Sequence, residues 1–341
     1  MRKRKGAGRP TIADVANKAG VSTITVSRAL RDPSMVSDHL RRKINNAVRK
    51  LNYVPHSHAS ALASTRSNII GVIVPSLTNN VFAESLRAIY DAFGQGAFQV
   101  QLGNSRYVPA EEERLVRTFL GQRPSAMIVA GTDQTDVTRQ LLENAECPVV
   151  QIMDVGDDPI DMIVGFSHFE GGKAAGLHLV QQGYKRIGFL GARMDPRSYR
   201  RLEGFKEALQ FGGRSDPDLI MTTTLSSSVS LGAELIGQFC ARRPDLDAVF
   251  CNNDDMALGA LFGCQKAGLS VPDDIGIIGF NDLEMMAAAH PSLTSIRTDR
   301  YAIGRHAVEM IQSVLSGETP DKKIVDLGFE LQVRQSTSRA K

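Results

Sequence analysis

Thr11-Ile12-Ala13-Asp14-Val15-Ala16-Asn17-Lys18-Ala19-Gly20-Val21-Ser22-Thr23-Ile24-Thr25-Val26-Ser27-Arg28-Ala29-Leu30 is two short helical patterns joined at a glycine. Ile12, Val15, Ala16 and Ala19 recur at helical spacing behind Thr11, a hydroxyl residue suited to cap the first helix. Gly20 supplies a residue that tolerates positive φ at the helix end, and Ser22 or Thr23 can cap the second helix. Val26, Ala29 and Leu30 make the buried stripe of that helix. A helix, a glycine turn and a helix within twenty residues form a helix-turn-helix. With Val26 and Leu30 inside, Thr23, Ile24, Thr25, Ser27 and Arg28 face out. Arg can pair with guanine, Thr and Ile can meet a thymine methyl, and Ser and Thr hydroxyls suit phosphates. For Arg28, a base contact and a plain phosphate contact both remain open.

Working outward, a third helix is expected after Pro33, capped by Ser37, with Leu40, Ile44, Val48 and Leu51 at helical intervals and Asn52-Tyr53-Val54-Pro55 ending it. The charge distribution agrees with a polyanionic partner for this end. Residues 1–66 hold 14 Lys/Arg against 3 Asp/Glu, a charge of +11, whereas the other 275 residues hold 26 against 34, a charge of −8. A basic end on an acidic body is an electrostatic footprint for nucleic acid. Residues 1–10 read as a basic disordered tail, 11–55 as the DNA-binding domain and 56–67 as a linker. Met1-Arg2-Lys3-Arg4-Lys5 is followed by Gly6-Ala7-Gly8-Arg9-Pro10 rather than an apolar stretch, so a secretory leader is not expected. No apolar run approaches the ~20 residues of a membrane helix, so no membrane partner is expected and a cytoplasmic location is.

From residue 69 the pattern changes. Apolar runs at 69–74, 98–102, 126–130, 149–153 and 162–166 alternate with helical stretches, and a second series runs 186–190, 219–223, 248–251 and 275–279. Continuous apolar strands between helices mean parallel sheets covered on both faces. Two series mean two similar α/β lobes within 68–341, divided at about 68–166 with 298–326 and 167–297 with 327–341. Ligands sit beyond the carboxyl ends of such strands, here in the cleft between lobes. Cys147, Cys240, Cys251 and Cys264 show neither Cys-x-x-Cys nor zinc-ligand spacing and read as reduced buried thiols. No metal or cofactor is expected. An enzyme on this frame would want a phosphate-binding glycine loop. There is no Gly-x-Gly-x-x-Gly after the first strand, and Gly171-Gly172-Lys173-Ala174 lacks a P-loop's remaining glycine and the Ser/Thr after lysine. A transport binding protein would share the body but have no use for residues 1–66.

Thr11-Ile12-Ala13-Asp14-Val15-Ala16, Ala19-Gly20-Val21-Ser22, Thr25-Val26-Ser27-Arg28 and Leu51-Asn52-Tyr53-Val54-Pro55, in this order and spacing, resemble the lactose/galactose repressor family. The resemblance spans about residues 11–335 and implies a three-helix DNA-binding domain on a type I periplasmic-binding-like, two-lobed α/β body. It implies a sequence-specific regulator, a homodimer on near-palindromic double-stranded operator DNA, and a hinge segment in which Ala59-x-x-Leu62-Ala63 places Leu62 as a wedge between base pairs. His56 and Ser60 depart from the residues common at those positions. The implied DNA-facing set is Thr11, Ser22, Thr23, Ile24, Thr25, Ser27, Arg28, Ser37, Tyr53, Ala59 and Leu62. The tail after residue 335 shows no heptads for a tetramer.

For the effector, residues after strands are Ser76, Asn80 and Phe82, then Asp154 and Arg193. The resemblance adds Arg201, Asn253 and Asn281 as ligand-contacting positions. Arg197 and Arg200 read as surface charges, and Asp254 as the cap of a helix over 256–262. Arginines beside a cleft favour a carboxylate or phosphate. Ser76 to Glu84, Val164-Gly165-Phe166, Leu190-Gly191-Ala192-Arg193, Phe250 to Asp255 and Asp326-Leu327-Gly328-Phe329 resemble the gluconate-repressor branch. That resemblance implies a sugar-acid effector (gluconate, 6-phosphogluconate or 2-ketogluconate) that releases the operator. A neutral sugar or a nucleobase is the alternative.

Overall fold

The computed structural model describes residues 10–31, 33–54, 67–94, 96 and 98–339. The hinge positions His56, Ala59, Ser60 and Leu62, and the tail up to residue 9, lie outside the described residues. The chain divides into two compact units, residues 1–67 and 68–341.

The first unit is three helices, α1 (Ile12–Ala19), α2 (Thr23–Arg31) and α3 (Asp38–Leu51). Each start is capped as the sequence predicts. The Thr11 hydroxyl accepts from the Asp14 N–H at 3.3 Å while the Asp14 carboxylate accepts from the Thr11 N–H at 2.7 Å, a reciprocal capping box. These bonds hold Asp14 below the usual carboxylate range. Ser22 Oγ accepts from the Thr25 N–H at 3.2 Å and Ser37 Oγ from the Leu40 N–H at 3.4 Å. Gly20 ends α1 at φ +61°, the left-handed geometry that turns the chain into α2. Val15, Ala16, Ala19, Val26, Ala29, Ile44, Ala47 and Tyr53 form the core, too small for anything but close helix packing.

The second unit holds two six-stranded sheets. In the first, β1 (Ile69–Val74), β2 (Gln99–Asn104), β3 (Ala126–Ala130), β4 (Val149–Ile152), β5 (Met162–Gly165) and β11 (Ile324–Asp326) lie in the order β11-β5-β4-β3-β1-β2. In the second, β6 (Ile187–Ala192), β7 (Ile220–Thr223), β8 (Ala248–Cys251), β9 (Gly276–Asn281), β10 (Thr294–Arg297) and β12 (Glu330–Gln332) lie in the order β12-β10-β9-β8-β6-β7. Both sheets are thus doubly wound with the same 2-1-3-4-5 strand order. All pairings are parallel except β10 with β12. The chain passes between the lobes after β5, after β10 and after β11. In the first lobe, α4 (Ala83–Phe93), α5 (Pro109–Leu120), α6 (Asp136–Glu143) and α12 (Arg300–Leu315) cover the sheet. In the second, α7 (His168–Gln181), α8 (Pro196–Phe211), α9 (Val229–Arg242), α10 (Asp254–Lys266) and the short α11 (Glu284–Ala288) do so.

The structure departs from the sequence pattern in two places. The helix expected at 256–262 runs from Asp254 to Lys266, and its cap is Asn253, whose Oδ1 accepts from the Met256 N–H at 3.1 Å. Asp254 instead is fully buried, accepting from the Leu283 N–H and the Ser295 hydroxyl at 2.7 Å each, and burial pushes its carboxyl up to about 7. Strands β10, β11 and β12 do not show in the sequence pattern; they are three or four residues long, β10 and β12 are mostly polar, and β11 offers only Ile324 and Val325, so none carries an apolar run long enough to find.

Candidate DNA-reading helix and effector cleft

On α2, Ile24 is 64% exposed, an unusual position for a branched apolar side chain, and Thr23, Ser27 and Arg28 are exposed beside it. Thr25 is half-buried, its hydroxyl 2.9 Å from Ser22 Oγ. The structure gives Thr11, Ser22 and Ser37 to helix capping, and it seats the Tyr53 ring in the three-helix core.

In the second unit the carboxyl ends of the two sheets face each other, with the switch points β1/β3 and β6/β8 opposed. Between them lies a narrow cavity of about 40 Å³, adjoining a wider hollow of about 400 Å³ that shares Tyr107, Arg193, Asp195 and Arg197 with it. Of the sequence-selected residues, Phe82, Arg193, Arg201, Asn253 and Asn281 line it. Ser76, Asn80 and Asp154 do not. Ser76 Oγ accepts from the Thr78 and Asn79 N–H groups at 3.2 and 3.1 Å and so shapes the turn after β1. Asn80 is exposed, and its neighbour Asn79 takes the wall position, donating to the Tyr107 hydroxyl at 3.3 Å. Asp154 is buried and accepts from Thr132 Oγ at 3.2 Å, from the Val155 N–H at 3.0 Å and from Arg200. Burial raises its carboxyl above the usual range, against the pull of Arg200.

Arg197 is not a surface charge, and Arg200, its side chain 38% exposed, is one only in part. Arg197 is 7% exposed and lines the cavity, and Arg200 reaches from α8 in one lobe to Asp154 in the other. The reason is geometric: Arg197 and Arg201 are four residues apart on α8, so they share a face, and Arg200 projects beside them to the opposite lobe's buried carboxylate.

Arg201 is firmly held. Its Nε–H donates to His168 Nδ1 at 3.1 Å, its Nη1 to the Asn252 carbonyl at 2.5 Å, and its guanidinium lies 3.8 Å from the Phe280 ring centroid. His168 Nε2 sits 2.9 Å from the Met153 carbonyl, which can only accept, so the ring carries its proton there and is neutral. Burial, with Arg201, Arg197 and Arg200 nearby, pushes the His168 imidazole well below its ordinary range. Burial likewise lowers Arg201 to about 10, with neighbouring Arg197 adding to it. Arg193 lies 4.3 Å from the Tyr107 ring centroid and donates to Ser226. The Asn281 side chain is 5% exposed and its Oδ1 has no hydrogen-bond partner among the described residues. With Arg193, Arg197 and Arg201 against Asp195, the wall carries an excess of positive charge.

Sequence reasoning missed Asn79, Tyr107, Met153, His168, Asp195, Arg197, Ser198 and Ser227 on this wall. For His168 a signal existed, since it follows β5 as the other candidates follow their strands. Tyr107 (φ +58°), Met153 (+70°), Arg193 (+46°) and Asn281 (+110°) occupy left-handed backbone that side chains rarely adopt, and such strain gathers at binding sites.

Residues 11–56 match the bacterial regulatory proteins, lacI family, and residues 177–337 match the periplasmic binding protein-like domain. The HTH-type transcriptional regulator GntR of Pseudomonas aeruginosa is 42% identical over 330 residues, 97% of this chain and 96% of that protein. The chain belongs to the LacI family of bacterial regulatory proteins. A LacI-family regulator of Silicibacter pomeroyi has a similar structure, with a TM-score of 0.91 at 35% identity over 97% of this chain and all of that one. The lac repressor dimer bound to operator and the anti-inducer ONPF superposes with a TM-score of 0.80 at 28% identity, over 96% of this chain and 99% of that one. The protein is therefore a DNA-binding transcriptional regulator rather than an enzyme. Among the described residues of this LacI-family chain, no helix is long and apolar enough to cross a membrane.

Proposed function

We propose that this regulator is a repressor of sugar-acid catabolism whose operator affinity is set by a small sugar acid bound between the lobes. The observation that carries the reading is the charge of the cavity wall. Three arginines against one carboxylate line a space that also presents Asn79, Ser198, Ser227, Asn253 and Asn281, beside the apolar Val81, Phe82, Met153 and Ala192. Guanidinium groups bind carboxylate and phosphate bidentately, while the amides and hydroxyls suit a polyol chain. A neutral sugar needs no such excess of cations.

The effector acts by preferring one lobe arrangement over another, which is the only way a ligand shifts an equilibrium. In this proposal two copies of the chain bind a near-palindromic operator through α2, with Thr23, Ile24, Ser27 and Arg28 toward the major groove, and the acid releases them. Leu62 in the hinge is the proposed minor-groove wedge.

Fluorescence anisotropy on promoter fragments, with and without gluconate, 6-phosphogluconate, 2-ketogluconate and galactose, tests this. Fragment-selective, salt-sensitive binding that one acid abolishes and galactose does not is the expected result. If galactose alone acts, or if every acid tightens binding, the effector class or the direction of induction is wrong.

A further inference from the structure

Four arginines cluster around the start of α8, and three of them are already engaged. Arg201 is bonded to His168 and Asn252 and stacked on Phe280, Arg193 is held by Ser226 and Tyr107, and Arg200 by Asp154. Arg197 differs. Its side chain is more than nine-tenths buried, and among the described residues its contacts are loose, the guanidinium lying 6.0 Å from the Tyr107 ring centroid. Its ion-pair partner there is Asp195, at 3.5 Å, and Asp195 spends its other oxygen capping α8 through the Ser198 N–H at 2.8 Å. A buried guanidinium has five N–H groups to satisfy, and leaving them unmade is costly.

Its place in the helix sharpens the point. Arg197 is the second residue of α8, after Pro196, and no acidic residue stands in the first turn. A helix N-terminus carries partial positive charge, so a cation there is disfavoured and an anion favoured. Arg197, with Tyr107, Arg193 and Asp195, lines both the inner cavity and the wider hollow beside it. Burial with one carboxylate at 3.5 Å, at the end of a helix whose dipole disfavours a cation and facing an open space, leaves Arg197 able to take a further anion.

We infer that Arg197 receives the effector's anionic head, a carboxylate or a phosphate, and so makes this cleft select acids over neutral sugars. The inference rests on the acid-effector reading above. Arg201, by contrast, is a fixed wall, its Nε–H spent on His168 and an Nη1 donor on the Asn252 carbonyl.

The test is calorimetric titration of the full-length protein with gluconate (carboxylate only), glucose 6-phosphate (phosphate only) and glucitol (neither), using wild type, Arg197→Gln and Arg197→Lys. The wild-type series tests the acid reading: an acid must bind more tightly than glucitol, and if neither does, that reading fails and the role of Arg197 fails with it. The variants test the inference separately. Arg197→Gln should weaken the binding acid at least about 30-fold, as expected for losing one partner of a buried charge pair, while glucitol binding stays within about threefold. Arg197→Lys should recover part of the loss, since it restores charge without the fork. If wild type binds an acid and Arg197→Gln binds it within threefold, the inference is overturned. Unchanged operator affinity and an unlowered thermal midpoint in the absence of ligand establish that the variants are folded; if Arg197→Gln is misfolded, Arg197→Lys decides, a partial loss of acid affinity with glucitol binding unchanged supporting the role and wild-type acid affinity overturning it.

Discussion

Replacing Gly204 by alanine should loosen the second lobe and the effector site together. A Cβ at Gly204 would lie 1.9 Å from the Phe169 carbonyl oxygen and 2.9 Å from the Lys173 nitrogen, both backbone atoms of α7 that have no side-chain freedom to give way. Reaching an ordinary contact means separating α7 from α8 by more than an ångström. Overpacking of this kind costs about 1–3 kcal/mol, and a backbone clash belongs at the upper end. The gain in helix propensity from glycine to alanine returns about 1 kcal/mol, which leaves a net loss of about 2 kcal/mol. At about 2–4 °C per kcal/mol for a unit of this size, the thermal midpoint should fall by roughly 4–8 °C. The effect should not stop at stability, because α8 carries Arg197, Arg200 and Arg201 into the cleft. Effector affinity should drop as well, in a variant that leaves every ligand-facing side chain intact. Gly237→Ala is the internal control. It is an exposed position within α9 where a Cβ meets nothing within 4 Å, so the same chemical change should stabilise by about 0.5–1 kcal/mol. Differential scanning calorimetry and effector titration of both variants measure these outcomes. If Gly204→Ala melts with wild type, or melts early with full effector affinity, then the α7–α8 contact does not position the arginines.

Arg28→Ala should cost operator affinity about 1–3 kcal/mol; a base contact shows as relaxed sequence preference at one position, a phosphate contact as a uniform loss with a shallower salt dependence in the anisotropy assay. Ser37→Ala removes the cap of α3 and should cost about 1 kcal/mol, read as an earlier melt of the DNA-binding unit and weaker operator binding. His168 is held neutral below its ordinary value of 6.5, so as pH falls below 6.5 the unfolded chain takes up a proton that the folded one refuses, and stability declines. His168→Gln should flatten that decline by up to about 1.4 kcal/mol per pH unit; denaturant melts between pH 7 and pH 5 that keep the wild-type slope would place the proton elsewhere.

The fold was legible wherever burial is uniform. Strands β1, β3 and β8 are apolar from end to end, and their limits follow from the sequence without adjustment. Thr294-Ser295-Ile296-Arg297 was illegible because its burial is polar: Ser295 donates to Asp254 and Thr294 bonds Thr337, so no hydrophobic signal marks the strand. The cleft was half legible for a related reason. Rules of position find residues that follow strands, which is how Arg193 and Phe82 emerged. They do not find Tyr107, which reaches the wall from a loop in left-handed backbone. Arg197 has the composition of a surface residue, and only its four-residue distance from Arg201 betrays its face. Asn80 and Asn79 are adjacent and chemically identical, and the turn built on Ser76 decides between them.

The left-handed residues at the cleft have a consequence for how this protein can change. Tyr107 and Arg193, both only partly buried, each hold a conformation that glycine would adopt freely, at a cost of about 1–3 kcal/mol apiece. Selection for heat resistance alone would therefore reach these positions early, since glycine there relieves the chain at once. Every such gain would remove a side chain from the ligand's wall. A thermostable descendant obtained without effector in the medium would be a sturdier protein that no longer senses anything, and a library screened for stability should hold these loop residues fixed.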